Sequence, residues 1–251
     1  MQYVISIAAT CPLWRESSYK SEMVTQLLFC EQAIVLQQEN NFSYVCCLYD
    51  NYEGWCMSNQ LAEIRAVPAS ELKGYIHQHG NTALINNNII QLPLGVPIYE
   101  DIEAGEYKIQ FHSNNYLLIK DVQANGSFAK QLALQFLNTP YLWSGKSSFG
   151  IDCSGFTQQV FKMMGIYLPR DAYQQATFGQ TINFLQEAIP GDLAFFDNEA
   201  GEIIHTGILL NNNTIIHAAG YVHIDPIDDA GIIHSVTENR THKLRIIKRM
   251  F

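Results

Sequence analysis

Cys153 has the surroundings of a nucleophile. It follows Asp152, a favourable helix N-cap residue, and precedes a run that predicts a helix over residues 156–164. A thiol at the start of a helix lies at the positive end of the helix dipole, near unpaired backbone N–H groups. Both features favour the thiolate, which is the form that attacks a carbonyl carbon. The sequence therefore predicts acyl chemistry at Cys153.

Two histidines are candidates for the base that a cysteine nucleophile needs. His205 begins one predicted strand and His217 ends the next, with a hairpin turn of three asparagines, 211–213, between them. Reflection across a turn centred near residue 212 pairs residue 207 with residue 217. Both imidazole rings should then lie near the open end of one hairpin. We predict that His205 is the base and that His217 orients it.

A zinc site made by Cys153, His205 and His217 is the main chemical alternative. Structural zinc sites usually contain closely spaced ligand pairs, and this sequence has no Cys-x-x-Cys or His-x-x-x-His pair. We therefore predict no metal and no organic cofactor. Arg170, Asp171 and Asp192 are predicted to form structural ion pairs or turns. The remaining histidines are predicted to be solvated and without a chemical partner: His77, His79, His112, His223, His234 and His242.

Composition limits the classes of function. The chain has 251 residues, is 47% hydrophobic and carries a net charge of −9, which argues against a nucleic-acid-binding protein. An acidic balance is compatible with a ligand that carries an ammonium group. The N-terminus lacks the basic region of a secretory signal, and no apolar stretch is long enough to span a membrane. We expect a cytoplasmic protein with reduced cysteines, unless a leader has been removed.

Turn residues and apolar runs divide the chain into three predicted domains, 1–67, 72–124 and 125–251. The first has predicted strands over 3–7, 33–38, 42–48 and 52–57, and residues 21–29 could form one or two turns of helix. The second has predicted strands over 82–85, 89–92, 107–112 and 116–122. Both patterns are typical of small β-barrels, and Tyr52-Glu53-Gly54-Trp55 resembles the closing strand of bacterial SH3-like domains.

The third domain changes from helices to strands. We predict helices over 127–137, over 156–164 and within 171–178, followed by strands over 193–197, 205–210, 214–218 and 244–249. Helices followed by antiparallel strands indicate the α+β class.

Six ordered motifs in this domain resemble the NlpC/P60 family of papain-like cysteine peptidases, which cleave bacterial cell-wall peptides. They are Pro140-Tyr141-Leu142-Trp143-Ser144-Gly145, Asp152-Cys153-Ser154-Gly155-Phe156, Leu168-Pro169-Arg170, Pro190-Gly191-Asp192-Leu193, His205-Thr206-Gly207-Ile208 and Ile216-His217-Ala218. The resemblance implies a papain-like catalytic domain, and in a narrower branch of the family two small SH3-like β-barrels precede it. It also implies Cys153 as nucleophile, His205 as base and His217 as the third polar residue.

The full arrangement resembles a narrower branch, the γ-D-glutamyl-L-diamino-acid endopeptidases. That resemblance implies a murein peptide with a free N-terminal L-Ala as substrate, a role in peptidoglycan recycling and no nucleic-acid or membrane partner. Asp152, Ser154, Tyr141 and Glu53 are the predicted substrate-binding residues, and we expect a monomer. Two alternatives stay open at this point. One is a module that only binds wall peptides, and the other is an amidase or acyltransferase that uses the same cysteine and histidines.

Overall fold

The structure is a computed structural model that describes residues 1–65, 71–100, 102–112 and 116–251. The chain divides into two compact units. The first unit comprises Met1–Asp121 and Trp143–Ser147, and the second comprises Val122–Leu142 and Ser148–Phe251. The predicted end of the first barrel at residue 67 lies outside the described residues. The other predicted boundaries, at residues 72, 124 and 125, stay predictions.

The first unit begins with a seven-stranded antiparallel sheet. Its strands are β1 (Gln2–Ser6), β2 (Thr10–Trp14), β3 (Met23–Leu28), β4 (Gln32–Glu39), β5 (Phe42–Cys47), β6 (Glu53–Met57) and β7 (Leu61–Ile64). Their order is β3-β2-β6-β5-β4-β1-β7. Side chains that alternate along these strands form a buried apolar cluster that includes Leu13, Val45 and Cys56.

The helical turns suggested for residues 21–29 do not form. Residues 23, 24, 27 and 28 are apolar, which fits one face of a helix, but this segment is strand β3, paired with β2 from Thr10↔Leu28 to Trp14↔Met23. A strand with both faces covered shows no period-2 alternation, because every side chain from Thr25 to Leu28 is buried. The short apolar run was therefore ambiguous between helix and strand.

The following β segment forms two smaller sheets. Its strands are β8 (Gly74–Ile76), β9 (Thr82–Ile85), β10 (Asn88–Gln91), β11 (Pro97–Ile98), β12 (Ile102–Ala104), β13 (Tyr107–Phe111) and β14 (Tyr116–Leu118), and β15 (Lys146–Ser147) comes later in the chain. One sheet has the order β10-β9-β13-β12, and the other has the order β11-β8-β14. The strand predicted over 82–85 is confirmed with the same bounds.

The second unit contains another seven-stranded antiparallel sheet. After β16 (Gly150–Ile151) come β17 (Gln180–Ile182), β18 (Leu193–Asp197), β19 (Ile203–Leu209), β20 (Thr214–Ala219), β21 (Tyr221–Asp228), β22 (Gly231–Ile233) and β23 (Arg240–Arg249). The order is β17-β23-β18-β19-β20-β21-β22, and β22 also pairs with β23. That extra pairing closes six of the strands into a barrel.

Three α-helices are present among the described residues of the second unit. They are α1 (Gly126–Leu134), α2 (Cys153–Met163) and α3 (Ala172–Gln175). Asn125 caps α1, since its side chain accepts a hydrogen bond from the backbone N–H of Phe128 at 3.0 Å. Helix α2 packs on β19 and β20, and every one of its residues is buried. No described helix has the length and apolar character needed to cross a membrane.

Candidate active site

Helix α2 begins at Cys153 because Asp152 caps it. The Asp152 carboxylate accepts a hydrogen bond from the backbone N–H of Gly155 at 2.6 Å. The same carboxylate accepts hydrogen bonds from both terminal nitrogens of Arg170, at 3.1 Å and 2.7 Å. Arg170 also donates a hydrogen bond to Ser154 Oγ at 2.9 Å. Arg170 is only 2% exposed. A buried, bidentate ion pair therefore holds the two residues that flank the thiol.

Burial has the largest influence on the pKa of Cys153. The pKa of the thiol is raised to about 12, first by burial and second by the neighbouring Asp152 carboxylate. The backbone N–H of Thr206 and the Arg170 guanidinium act in the opposite direction but are weaker. Burial therefore acts against the thiolate expected at the helix start, and that expectation stays a prediction.

The two predicted histidines are in direct contact. His205 Nε2 lies 2.9 Å from His217 Nδ1, and both rings are buried. Burial lowers the pKa of His205 well below its usual value, and burial also lowers the pKa of His217. The hairpin register supports this contact, since Gly207 pairs with His217 as the turn position predicts.

Gly207 makes room for His217. A Cβ atom at position 207 would lie 2.8 Å from the Cβ of His217 and 2.8 Å from Ile215 Cδ1. Real Cβ atoms do not approach other carbons so closely, so a side chain here would displace the ring or the strand. The Gly of the His-Thr-Gly sequence therefore helps to position the second histidine.

A third residue, Asp225, continues the row and was missed in the sequence. Its Oδ2 lies 3.2 Å from His217 Nε2 and 3.1 Å from His223 Nε2, and its Oδ1 accepts from the backbone N–H of Ser235 at 2.9 Å. These hydrogen bonds outweigh burial and lower the pKa of the Asp225 carboxyl. Asp225 lies on β21, a strand that was not predicted from the sequence.

The histidines near this row were wrongly predicted to be solvated. His242 stacks on the His205 ring with centroids 4.1 Å apart, and burial lowers its pKa to about 4. His223 packs against His217 at 4.6 Å and bonds to Asp225. Five rings thus form one connected group: His205, His217, His223, His234 and His242. Stacking of this kind restricts the planes in which the catalytic candidates can lie.

The predicted substrate-binding residues fall into both units. Tyr141 is half-buried, and burial together with the nearby Cys153 and Asp152 raises the pKa of its hydroxyl. Its backbone N–H donates to Gly220 O at 2.9 Å, which ties it to the β20–β21 turn. Glu53 lies on β6 in the first unit, where its carboxylate accepts from the Tyr44 hydroxyl at 2.8 Å. A part for Glu53 in substrate binding stays a prediction.

Metal-ligating atoms come together at one place in the described part of the chain. One atom each of His217, His223 and Asp225 lies within 4.8 Å of the others. The carboxylate oxygen already bonds to both rings, at 3.2 Å and 3.1 Å. We interpret these three residues as a hydrogen-bonded group and assign no metal to them.

Comparison with known protein families agrees with this geometry. The NlpC/P60 family profile matches residues 138–241, a range that contains α2, His205 and His217. Residues 138–241 belong to the NlpC/P60 family. A second profile, described as the bacterial dipeptidyl-peptidase Sh3 domain, matches residues 13–61. An SH3-like domain therefore precedes the NlpC/P60 domain.

Curated relatives match mainly in the NlpC/P60 domain. A gamma-D-glutamyl-L-lysine dipeptidyl-peptidase of Bacillus cereus is 36% identical over 112 residues, which is 43% of this chain and 33% of that protein. The Bacillus subtilis protein of the same name is 40% identical over 101 residues, which is 39% of this chain and 31% of the relative. This chain thus spans about a third of these two relatives. Dipeptidyl-peptidase 6 of Lysinibacillus sphaericus is 24% identical over 90% of this chain and 92% of that protein.

Solved structures support the fold over the whole chain. A crystal structure of an NlpC/P60 family protein from Bacillus cereus has a TM-score of 0.78, with 17% identity and 99% of both chains covered. An NlpC/P60 endopeptidase from Photobacterium damselae subsp. piscicida has a TM-score of 0.62, with 15% identity, and covers 97% of this chain and 70% of its own. At these identities the likeness concerns the fold alone.

Proposed function

We propose that this protein is a papain-like cysteine peptidase that hydrolyses the γ-D-glutamyl–diamino acid bond of murein peptides with a free N-terminal L-Ala. The observation that carries the proposal is the contact between His205 Nε2 and His217 Nδ1 at 2.9 Å. His205 precedes Thr206, whose backbone N–H bonds to the Cys153 thiol at the start of α2. The activities named for the Bacillus relatives support the substrate class.

In the proposed mechanism the thiol and the imidazole are both neutral before reaction. His205 Nδ1 takes the proton of Cys153 Sγ while sulfur attacks the γ-carbonyl carbon, so no thiolate has to form beforehand. The C–N bond then breaks, and His205 returns the proton to the leaving amine. Water, activated by His205, hydrolyses the thioester and releases the γ-glutamyl product with a free thiol.

The start of α2 would stabilise the negative charge of the tetrahedral intermediate. The backbone N–H of Cys153 belongs to the first turn of the helix, which has no intrahelical acceptor for its N–H groups. Such a donor is held in a fixed direction before reaction, and this is the condition under which oxyanion stabilisation is most effective.

Asp152 and Ser154 are the proposed acceptors for the N-terminal ammonium of the substrate. Asp152 Oδ1 accepts from Gly155, Arg170 and, at 3.5 Å, the Ser154 hydroxyl, whereas Oδ2 accepts from Arg170, so a substrate donor would bind at Oδ2. We propose Tyr141 as a further substrate contact, because its half-buried hydroxyl lies near Cys153 and Asp152. Glu53 remains our proposed second acceptor.

We also infer that residues 72–124 form a second SH3-like domain, because their short antiparallel strands form two small sheets. A protein that requires a free L-Ala amine would act on released wall fragments rather than on intact peptidoglycan. The proposed biological role is therefore the recycling of murein peptides.

Hydrolysis of defined peptides tests the proposal. The full chain is incubated with L-Ala-γ-D-Glu-meso-diaminopimelate, its L-Lys analogue and the N-acetylated form of each, and products are identified by mass spectrometry. We expect L-Ala-D-Glu and the free diamino acid from the unblocked peptides. N-acetylation should abolish cleavage, because it removes the ammonium that Asp152 is proposed to bind.

Substitution of the nucleophile completes this test. Cys153→Ala should reduce turnover by at least about 10⁴-fold, while Cys46→Ala, at a partly exposed cysteine of the first unit, should leave it unchanged. Turnover by Cys153→Ala would eliminate the cysteine mechanism. Binding without cleavage by the wild-type protein would indicate a binding module, and equal cleavage of blocked and free peptides would contradict the ammonium pocket.

A further inference from the structure

Asp225 is a buried carboxylate at the end of the row that starts at the candidate base. It is 1% exposed and lies on the strand next to that of His217. Its Oδ2 lies within hydrogen-bonding distance of the Nε2 atoms of His217 and His223. Its Oδ1 accepts a hydrogen bond from the backbone N–H of Ser235. The Ser235 N–H can only donate, and the hydrogen bonds to Asp225 lower the pKa of its carboxyl, so the carboxylate is ionised and can only accept hydrogen bonds. His223 Nδ1 donates to the Tyr221 carbonyl oxygen at 2.8 Å, so His223 donates to Asp225 as well only when both of its nitrogens are protonated.

An acceptor at this position determines which nitrogen of each ring carries a proton. Because Asp225 only accepts, His217 must donate from Nε2, and a neutral His217 then has a bare Nδ1. That Nδ1 lies 2.9 Å from His205 Nε2, so it accepts a hydrogen bond from the N–H of that atom. His205 is then protonated on Nε2 and bare on Nδ1. A bare Nδ1 is what a base needs to take the proton of a thiol.

We propose that Asp225 is a positioning residue, which sets the tautomers of His217 and His205 and thereby keeps the proton-accepting nitrogen of the base free. This inference rests on the proposed function for its catalytic consequence, but the tautomer chain itself does not depend on the substrate. The hydrogen-bonded row comprises Asp225, His217 and His205, and the proposed function places Cys153 at its end. Asp225 adds one residue beyond the nucleophile, base and orienting histidine predicted from the sequence.

Asp225→Asn is the decisive substitution. The amide keeps the volume and can keep the acceptor for Ser235, but its NH₂ group can donate to His217 Nε2 and favour the opposite tautomer. Loss of an orienting carboxylate directly bonded to a catalytic histidine costs about 10⁴-fold in rate. Asp225 acts through one more ring, so we expect kcat to fall about 10²-fold with KM changed less than about threefold.

Asp228→Asn is the matched control, because Asp228 lies on the same strand and pairs with Arg240 at 2.6 Å in an exposed position. It should leave kcat unchanged. A folded Asp225→Asn variant with wild-type kcat would overturn the proposal, and so would a loss of kcat equal to that of the control.

Ring ¹⁵N NMR of the wild-type chain provides a readout that needs no substrate and no Asp225 variant. With resonances assigned by single His→Gln substitutions, we expect His205 and His217 to be protonated on Nε2 with unprotonated Nδ1. A proton on His217 Nδ1 would overturn the proposal even if Asp225→Asn did not fold. If the tautomers are as expected but no peptide is cleaved, the proposed function fails and the assigned tautomer role of Asp225 stands.

Discussion

Replacement of Arg170 by methionine, which removes the guanidinium, should destabilise the second unit strongly. In Arg170→Met the Asp152 carboxylate loses both of its bonds to the guanidinium, at 3.1 Å and 2.7 Å, and Ser154 Oγ loses its donor. The carboxylate stays buried, since its side chain is 10% exposed in the wild-type chain. Its remaining partners are the backbone N–H of Gly155 and, at 3.5 Å, the Ser154 hydroxyl, both of them uncharged. The variant therefore contains a buried charge without a counter-ion.

The magnitude follows from burial. Loss of one partner of a buried ion pair costs about 3–5 kcal/mol, because the other charge remains uncompensated. The Arg240–Asp228 pair has similar geometry, at 2.6 Å and 2.7 Å, but its side chains are 41% and 47% exposed. An exposed pair contributes about 0–1 kcal/mol. Arg170→Met should thus lose at least about 2 kcal/mol more than Arg240→Met, equivalent to a Tm lower by at least about 4 °C.

The assay must report on the second unit alone. All three tryptophans, Trp14, Trp55 and Trp143, belong to the first unit, so their fluorescence does not follow the second. Pulsed alkylation of Cys153 during urea unfolding, measured by peptide mass spectrometry, follows the unfolding of the second unit. Equal midpoint shifts in Arg170→Met and Arg240→Met would refute the reasoning. The double variant Arg170→Met/Asp152→Asn should recover part of the loss, and failure to do so would show that the uncompensated charge is not the cause.

Two further predictions concern pH and the first unit. Because the pKa values of His205, His217 and His242 are lowered by burial, the unfolded chain binds protons that the folded chain does not below pH 6.5. The free energy of unfolding should therefore fall as pH falls from 6.5 towards 4, by up to about 1.4 kcal/mol per pH unit for each histidine. Urea midpoints that do not change between pH 7 and pH 5 would contradict this prediction. In the first unit, Lys146 Nζ lies 3.0 Å from Glu31 Oε2 with both side chains buried. Lys146→Met should lower the free energy of unfolding of the first unit by about 3–5 kcal/mol, measured by tryptophan fluorescence. Lys146→Met/Glu31→Gln should recover most of this loss. A double variant no more stable than the single one would count against this explanation.

The hairpin that brings the two histidines together was predictable because it is local. Three asparagines at 211–213 define the turn, and alternation then determines the register, so that Gly207 faces His217. Apolar periodicity and capping residues likewise placed α1 and α2 within a few residues of their observed bounds.

The rest of the site depends on contacts that sequence pattern does not encode. Strand β21 runs from Tyr221 to Asp228 and supplies Asp225, although it contains Pro226, a residue that is disfavoured inside strands. His242 reaches His205 only because β23 pairs with β18. The burial of Cys153 could not be predicted for a related reason. The helix dipole can be inferred from the chain, whereas the extent of burial is known only once the sheet has packed on α2.

The complete burial of α2 has a consequence for how the site is lost. A helix with one face in water can fray at its first turn while the rest of the domain stays folded, but all eleven residues of α2 are buried. Opening the turn at Cys153 would expose apolar side chains such as Phe156 and separate Asp152 from Arg170. Segments with such contacts exchange their amide protons only through large-scale unfolding. Heat inactivation should therefore coincide with the melting of the whole second unit, with no earlier stage in which a folded unit carries a disordered nucleophile.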